Sequence, residues 1–499
     1  MSPAGRHSTV DPARSASKLS STFLNGSEIH TALAKLPMGA PMDVPALPLA
    51  PRRPSTDQTL MMALGLNKNF LQEQDFELDQ RLRQLPSGPL IFLHQESMIQ
   101  HVLNSQSKYN ASSLIAGCPV LSGTDLVRGP AGTSPQDAGT NPLTALLLIS
   151  VPMALPLIEA EASAFAMRMA NPHLGPKINL APMMDDLACR VLARLILPAT
   201  PPEAINALVK ATMPIHENGI LNDLARLPSQ TALKNRLKTL SLALQRRLLR
   251  GRLSDAMTTM RKPAIAESLT GLNGQDALLQ LLHGRAPSKL DDQKIIEILH
   301  RLFGGMRDQL RTMLVWTFGL LAHQNQYRHI CEMEADLLAQ AQAPIPVLLE
   351  QATFIKAAIE ESWRLYPPVP AMVWKLKKED KIGRISVKVD SHVCISPYVL
   401  HRHKDFWDQG GLFNPARFLG HNRKLIKPYG YMPFGAGTPP CPNGAIFMPI
   451  MTMILLSVLR RIRVSAPPKV TLPAPLLNDL IEPARPVYVA INPRLQDVE

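Results

Sequence analysis

The fold class predicted by this sequence is a mainly α-helical body with a small β part, and three observations predict it. Apolar residues recur at helical spacing over most of the chain beyond residue 60, strand-like alternation is confined to a few late pieces, and 45% hydrophobic content in 499 residues is enough to bury a large core.

The opening stretch, residues 1–55, reads as a mobile leader followed by a stiff proline-rich linker. It is rich in Ser, Ala and Thr, carries Arg6, Arg14 and Lys18, and closes on the run Ala50-Pro-Arg-Arg-Pro54. No apolar run of spanning length lies there, so neither a signal peptide nor a membrane anchor is expected. The expected place is the cytoplasm or, through peripheral contact at most, the endoplasmic reticulum membrane.

A single large domain then occupies 56–499. Amphipathic patterning predicts helices at 91–104, 157–171, 184–197, 203–212, 230–250 and 276–284. Pro142 to Ile158 is the longest uncharged run, but its three prolines and short length favour a core segment over a membrane span. A long helix is predicted at 291–321, with Ile295, Ile298, Leu302, Met306, Leu310 and Met313 at helical spacing and Gly304-Gly305 interrupting it midway. A glycine in a helix interior costs roughly 1 kcal/mol relative to alanine, so the pair implies either a close helix crossing or a ligand against the backbone. Glu350 to Tyr366 forms a further helix that stops at Pro367-Pro368. Arg384 to Asp390 alternates apolar and polar residues, and His392 to Pro397 follows after a short turn, which predicts a small sheet. Ala445 to Leu459 reads as a buried helix that Pro449 should kink.

Cysteine usage excludes two classes. The five cysteines, Cys118, Cys189, Cys331, Cys394 and Cys441, are scattered without a C-x-x-C pair, so neither a disulfide framework nor a zinc site is indicated. The net charge of +13 suits an acidic partner, whether nucleic acid, an anionic surface or an acidic redox protein. The basic clusters at Arg246-Arg247, Arg423-Lys424 and Arg460-Arg461 carry no nucleic-acid motif, and no nucleic-acid partner is expected.

The chemistry centres on Tyr431-Met-Pro-Phe-Gly-Ala-Gly-Thr-Pro-Pro-Cys-Pro-Asn-Gly-Ala445. Gly435 and Gly437 let the backbone approach a flat ligand, and Cys441 falls at the N-terminus of the following helix. A thiolate there gains from the helix dipole and can ligate a metal; the alternative is an inert buried cysteine. Upstream, Glu361 and Arg364 lie three residues apart on one helix face, which alone signifies only an ordinary ion pair.

Three segments in this order resemble the signatures of the cytochrome P-450 family: Ala357-Ala-Ile-Glu-Glu-Ser-Trp-Arg-Leu-Tyr-Pro-Pro368, Phe413-Asn-Pro-Ala-Arg-Phe418 and Phe434-Gly-Ala-Gly-Thr-Pro-Pro-Cys441. The likeness covers roughly 290–465, and Gly88-Pro-Leu-Ile-Phe-Leu93 resembles an early strand of the same family. The resemblance implies a single haem domain in which Cys441 is the axial ligand of haem iron and Phe434 packs beside the haem. It implies that Glu361 and Arg364 pair with Arg417 in a structural network, and that Gly304 and Gly305 lie over the distal face and leave room there.

The chain departs from the family pattern at several of these positions. The arginine expected two residues before the cysteine is Pro439, the glycine expected two residues after it is Asn443, and no early tryptophan-arginine pair exists. Lys375, and after it Arg402, are the substitute candidates for holding a haem propionate. Where an acid and a threonine are expected on the long helix, the run is Gly304-Gly-Met-Arg-Asp-Gln309. Asp308 is the candidate for proton delivery, with Thr312 one turn further; the alternative is that Asp308 merely pairs with Arg307 or Arg311.

By resemblance, the implied activity is oxygen-dependent monooxygenation of a hydrophobic small molecule by a divergent member, with haem b as cofactor and electrons from NADPH through a flavin-containing reductase. The stretch Ser396-Pro-Tyr-Val-Leu-His-Arg-His403 resembles fungal members of secondary-metabolite pathways, which implies a lipid, terpenoid, steroid or polyketide substrate. Two other readings stand beside it: a haem-thiolate isomerase or dehydratase that needs no reductase, and a degenerate, non-catalytic member of the fold.

Overall fold

The computed structural model describes residues 80–85, 88–109, 142–171, 175–196, 198, 201–212, 247, 250–252, 254–255, 292–436, 441–477 and 480–494. The predicted leader, the helix at 276–284 and nearly all of the helix at 230–250 fall outside them. The principal elements are β1 (Gln80–Leu85), β2 (Gly88–Leu93), α1 (Glu96–Asn104), α2 (Pro142–Met169), β3 (Ile178–Asn179), α3 (Leu180–Ile196), α4 (Asp292–His323), α5 (Asn325–Gln340) and α6 (Thr353–Leu365). They continue through β4 (Met372–Lys375), β5 (Asp380–Ile382), β6 (Ile385–Val387), β7 (His392–Ile395), α7 (Asn443–Leu459), β8 (Ile462–Ser465), β9 (Pro475–Leu477), β10 (Ile481–Pro483) and β11 (Tyr488–Pro493). The body is mostly helical with small sheets, as the periodicity predicts.

The core is a stack of long helices. α4 packs along α3, and α7 packs along α2, while α6 lies against both α4 and α7. α7 is apolar almost all round and is buried from Ile446 to Leu459 except at Met448 and Pro449, which are half-buried. Burial on nearly every side explains why the helix runs unbroken through Pro449, a residue without an N–H to donate. The same reasoning corrects the reading of 142–158. This run is the first half of α2, a helix that carries Pro152 and Pro156 in its interior and begins fifteen residues before the predicted 157 (157 − 142 = 15). Packing against α3 and α7 outweighs the local cost of the prolines. Nor do Gly304 and Gly305 interrupt α4, which is continuous over 32 residues. The predicted helix 350–366 is two pieces, Ile345–Gln351 and α6, separated at Ala352.

The sheets need another correction. β6 and β7 do not pair with each other. β6 pairs with β5, whereas β7 is central in a four-stranded sheet ordered β1-β2-β7-β4, parallel to β2 and antiparallel to β4. The remaining strands form a three-stranded sheet, β3-β11-β8, and the pair β10-β9. No helix among the described residues is long and apolar enough to cross a membrane.

A buried carboxylate joins the β region to α1. Asp380 accepts from Lys108 Nζ at 2.6 Å, Tyr109 Oη at 2.8 Å and the Lys381 amide at 2.9 Å, and His101 Nε2 lies 2.9 Å away. Burial alone would raise its pKa, but the bonds from Lys108, Tyr109 and His101 outweigh it and hold the group well below the usual carboxylate range. Replacing Asp380 with asparagine removes the charge and forfeits at least one of these bonds. We expect Asp380→Asn to lower stability by about 1–3 kcal/mol in urea unfolding at pH 7; an unchanged urea midpoint would show that the cluster is not coupled to the fold.

Candidate active site at the cysteine turn

The site is built from the end of α6 outward. The N-terminus of α6 has no cap of its own, and Glu334 of α5 substitutes by accepting from the amides of Phe354 and Ile355 at 2.9 and 2.7 Å. This fixes the helix whose last turn carries Glu361 and Arg364. Arg364 is fully buried and donates through Nε and Nη2 to the two oxygens of Glu361 at 2.6 and 2.8 Å. Its remaining donors reach the carbonyls of His401, Gly410 and Leu412 at 2.5, 2.7 and 2.8 Å. Glu361 also accepts from the Asn414 amide at 2.7 Å, and Arg417 Nε stands 3.5 Å from it. The three residues of the predicted network are thus brought together, and they organise the chain from His401 to Arg417.

From this network the restraint passes to the cysteine turn. His401 Nδ1–H donates to the Arg364 carbonyl at 2.9 Å, and Nε2 accepts from the Met432 amide at 2.8 Å. Both contacts require the neutral ring. Burial, reinforced by the guanidinium groups of Arg364 and Arg402, pushes its pKa down to about 3 despite the bond to the Arg364 carbonyl.

Beyond Met432 the chain turns sharply. Gly435 has φ of 81°, and a Cβ there would fall 2.8 Å from Sδ of Met372. Met372 also accepts from the Ala436 amide at 3.2 Å. The Cys441 amide donates to the Phe434 carbonyl at 3.3 Å, which closes the turn. Phe434 stands edge-on to Trp363 at 4.9 Å, and its ring occupies the space where a Cβ on Gly444 would go. Cys441 is buried, 5% exposed, two residues before the first residue of α7. Its sulfur is in a disulfide here. The widely scattered cysteines had indicated no such bond.

On the other side stands α4. Among the described residues a Cβ on Gly304 would meet nothing within 4 Å. Asp308 pairs with Arg307 at 2.8 Å and is 47% exposed. Thr312, on the same face one turn on, is buried, and its hydroxyl has no partner among the described residues. Thr317 makes the contrast, since its hydroxyl is bonded to the Met313 carbonyl and to Ser362 at 2.8 and 2.9 Å.

The comparisons with known proteins agree with this arrangement. A family model described as cytochrome P-450 matches residues 85–490. The chain belongs to the cytochrome P-450 family. It is 28% identical over 208 residues to cytochrome P-450 3A27 of Oncorhynchus mykiss, covering 41% of this chain and 40% of that protein. It is 29% identical over 167 residues to steroid 17-alpha-hydroxylase/17,20 lyase of Rattus norvegicus, covering 33% of each. The matched part therefore spans about a third to two fifths of the length of these curated relatives. The low identity fits a divergent member.

P-450 proteins bind haem iron and are oxidoreductases that draw NADPH-derived electrons from reductase partners. The described residues fit a haem on two sides. Cys441 stands two residues before α7 with its amide bonded to the Phe434 carbonyl, and none of the described residues lies within 4 Å of where a Cβ on Gly304 would be. Iron ligation requires the Cys441 disulfide to be opened to the thiolate. For the propionates the structure places Lys375 at the surface, 42% exposed and paired with Asp390 at 2.7 Å. Arg402 is instead stacked on Tyr398 at 4.0 Å, and its Nη2 is buried without a hydrogen-bond partner among the described residues. Gly437 and Pro439 lie outside the described residues. Sequence reading missed Met372 and the two-sided role of His401, because the contacts of both depend on chain segments brought in by the fold.

The neutral His401 gives a pH signature. Its folded pKa near 3 lies below the unfolded value of about 6.5, so between the two the unfolded chain binds the extra proton. Its contribution is complete above pH 6.5 and is lost as the pH falls, by up to about 1.4 kcal/mol per pH unit. We expect the urea midpoint to drop as pH is lowered from 6.5 toward 4, and His401→Gln to make that slope shallower by about one proton. An equal slope in the variant would mean that His401 is not the group responsible.

Proposed function

We propose that this chain is a haem-thiolate monooxygenase acting on a hydrophobic small molecule with dioxygen and electrons from NADPH through a flavin-containing reductase. The observation that carries the reading is the cysteine turn, where a buried sulfur before α7 is aligned by a path of bonds from Arg364 through His401 to Met432. When bound there, haem supplies an iron centre at which dioxygen is reduced and activated. Cys441, once reduced, holds the iron as a thiolate, while Phe434 and Trp363 wall off the sulfur from water.

The chain's own contribution to proton movement lies on α4. Asp308 is half-exposed, so its carboxylate exchanges protons with solvent; the Thr312 hydroxyl, four residues on and buried, passes a proton inward from Oγ1. This assigns to Thr312 the hydroxyl that the run Asp308-Gln309 lacks.

Substrate class follows less directly. A lipid, terpenoid, steroid or polyketide of secondary-metabolite type fits the apolar surroundings, and the rat relative, named for a steroid hydroxylase, supports keeping steroids in that set. Exposed Leu425 is flanked by Arg423, Lys424 and Lys427 on the chain leading into the cysteine turn, which suits an acidic flavoprotein docking on that side. Because the expected threonine position holds Asp308 or Gln309 and so lacks a hydroxyl, an isomerase or dehydratase reaction is the second reading. Turnover supported by a hydroperoxide without NADPH would select it.

Two measurements test the proposal. The full chain, expressed with added haem and kept under thiol reductant, should give a red-shifted thiolate-type Soret band in the carbon monoxide difference spectrum, and Cys441→Ala should abolish it. No such band in the wild type would sink the haem-thiolate reading. Thr312→Val should lower product formed per NADPH by about a hundredfold while leaving the unfolding midpoint unchanged or higher, because it removes an unsatisfied buried hydroxyl. Full turnover in that variant would remove Thr312 from the proton path.

A further inference from the structure

We infer that Gln309 and Asn443 are a pair of positioning residues that bridge α4 to the cysteine turn and set how the Cys441 sulfur stands toward the iron. The inference rests on the haem-thiolate reading above. Asn443 is the first residue of α7, two positions past Cys441, and is fully buried; Gln309 lies in α4 directly after Asp308 and is 1% exposed. Asn443 Nδ2 donates to Gln309 Oε1 at 2.6 Å across 134 residues of chain. Gln309 Nε2 donates in turn to the Pro368 carbonyl at 3.5 Å. With its nitrogen turned to that carbonyl, Gln309 presents its oxygen to Asn443.

The bridge closes a ring of contacts that runs through the Cys441 backbone. Next to Pro368, the Val369 amide donates to the Pro433 carbonyl at 3.0 Å, and one residue on, the Phe434 carbonyl accepts from the Cys441 amide at 3.3 Å. The path therefore returns from α4, through the loop after α6, to the cysteine where it began. Closed rings restrain each member more than open chains do, because moving one joint strains every other. If the Gln309–Asn443 link is cut, the first turn of α7, two residues past Cys441, loses its side-chain tie to α4. Cutting it also strands a buried amide, which costs more than the bond itself yields.

The test uses the full chain loaded with haem under thiol reductant, in four forms: wild type, Gln309→Leu, Asn443→Ala, and the swapped pair Gln309→Asn with Asn443→Gln. Transfer of haem to excess apomyoglobin gives the dissociation rate, and the carbon monoxide difference spectrum gives the fraction that keeps thiolate ligation. Each single variant should lose haem about tenfold faster and should convert part of the red-shifted band to one without the thiolate; the swapped pair, which restores donor and acceptor, should recover both. Variants that hold haem at the wild-type rate with an undiminished thiolate band overturn the inference while the haem-thiolate reading stands. So would variants whose faster haem loss merely follows a lower unfolding midpoint, with the band intact and no recovery in the swap. A wild type that takes up no haem overturns the function itself, and this inference with it.

Discussion

The fully buried Arg364 is the constraint on which the rest of this structure depends. A guanidinium in a protein interior is stable only when its donors are used, and here they are spent on Glu361 and on three backbone carbonyls at His401, Gly410 and Leu412. Those carbonyls belong to a stretch with little regular structure of its own. Its shape is therefore dictated by where the fork of Arg364 can reach. Lysine offers one point charge in place of a planar fork and cannot hold three carbonyls and a carboxylate together. Trp407 covers the guanidinium at 4.9 Å, so the network is sealed from water as well as satisfied. Everything downstream inherits this order, because His401 hands it to Met432 and Met432 begins the cysteine turn.

Much of the fold was legible in the sequence where local physics decides. The 3.6-residue period of α3 and α4 fixed those helices to within a few residues, since a buried stripe repeats whatever the neighbours are, and the long apolar run did the same for α7. Where tertiary packing competes with local preference, the reading failed. Pro152 and Pro156 signalled a break that α2 does not make, and the late strands suggested a neighbourly sheet. In fact Leu90, Ile91 and Phe92 pair with His392, Val393 and Cys394 across some three hundred residues, and alternation carries no trace of its partner.

The site divides in the same way. Cys441, Phe434, Gly435 and the Glu361–Arg364 pair could be seen because their chemistry depends on spacing within a turn or along one helix. Gln309, Asn443 and Met372 could not be interpreted, because each acquires its role from a contact made by another segment. Asn443 and Gln309 looked, one at a time, like losses: a glycine and a hydroxyl missing from their expected places. In the fold they are bonded to each other, and two apparent defects become one feature.

The glycine pair of α4 completes the argument. Gly304 and Gly305 together cost the helix about 2 kcal/mol relative to alanine, and none of the described residues packs where a side chain on Gly304 would stand. The helix persists because its neighbouring turns are fastened to other elements. Arg307 meets the buried Asp185 of α3 at 3.3 Å, Arg311 meets Glu482 of β10 at 2.6 Å, and Trp316 donates to the Ile481 carbonyl at 2.7 Å. Each of these partly buried links is worth on the order of 1 kcal/mol, enough together to offset the glycines. Arg307 and Arg311 lie one and two turns from Gly304 on the side of α4 that also carries Asp308, so the links to Asp185 and Glu482 fasten the helix close to the glycines themselves.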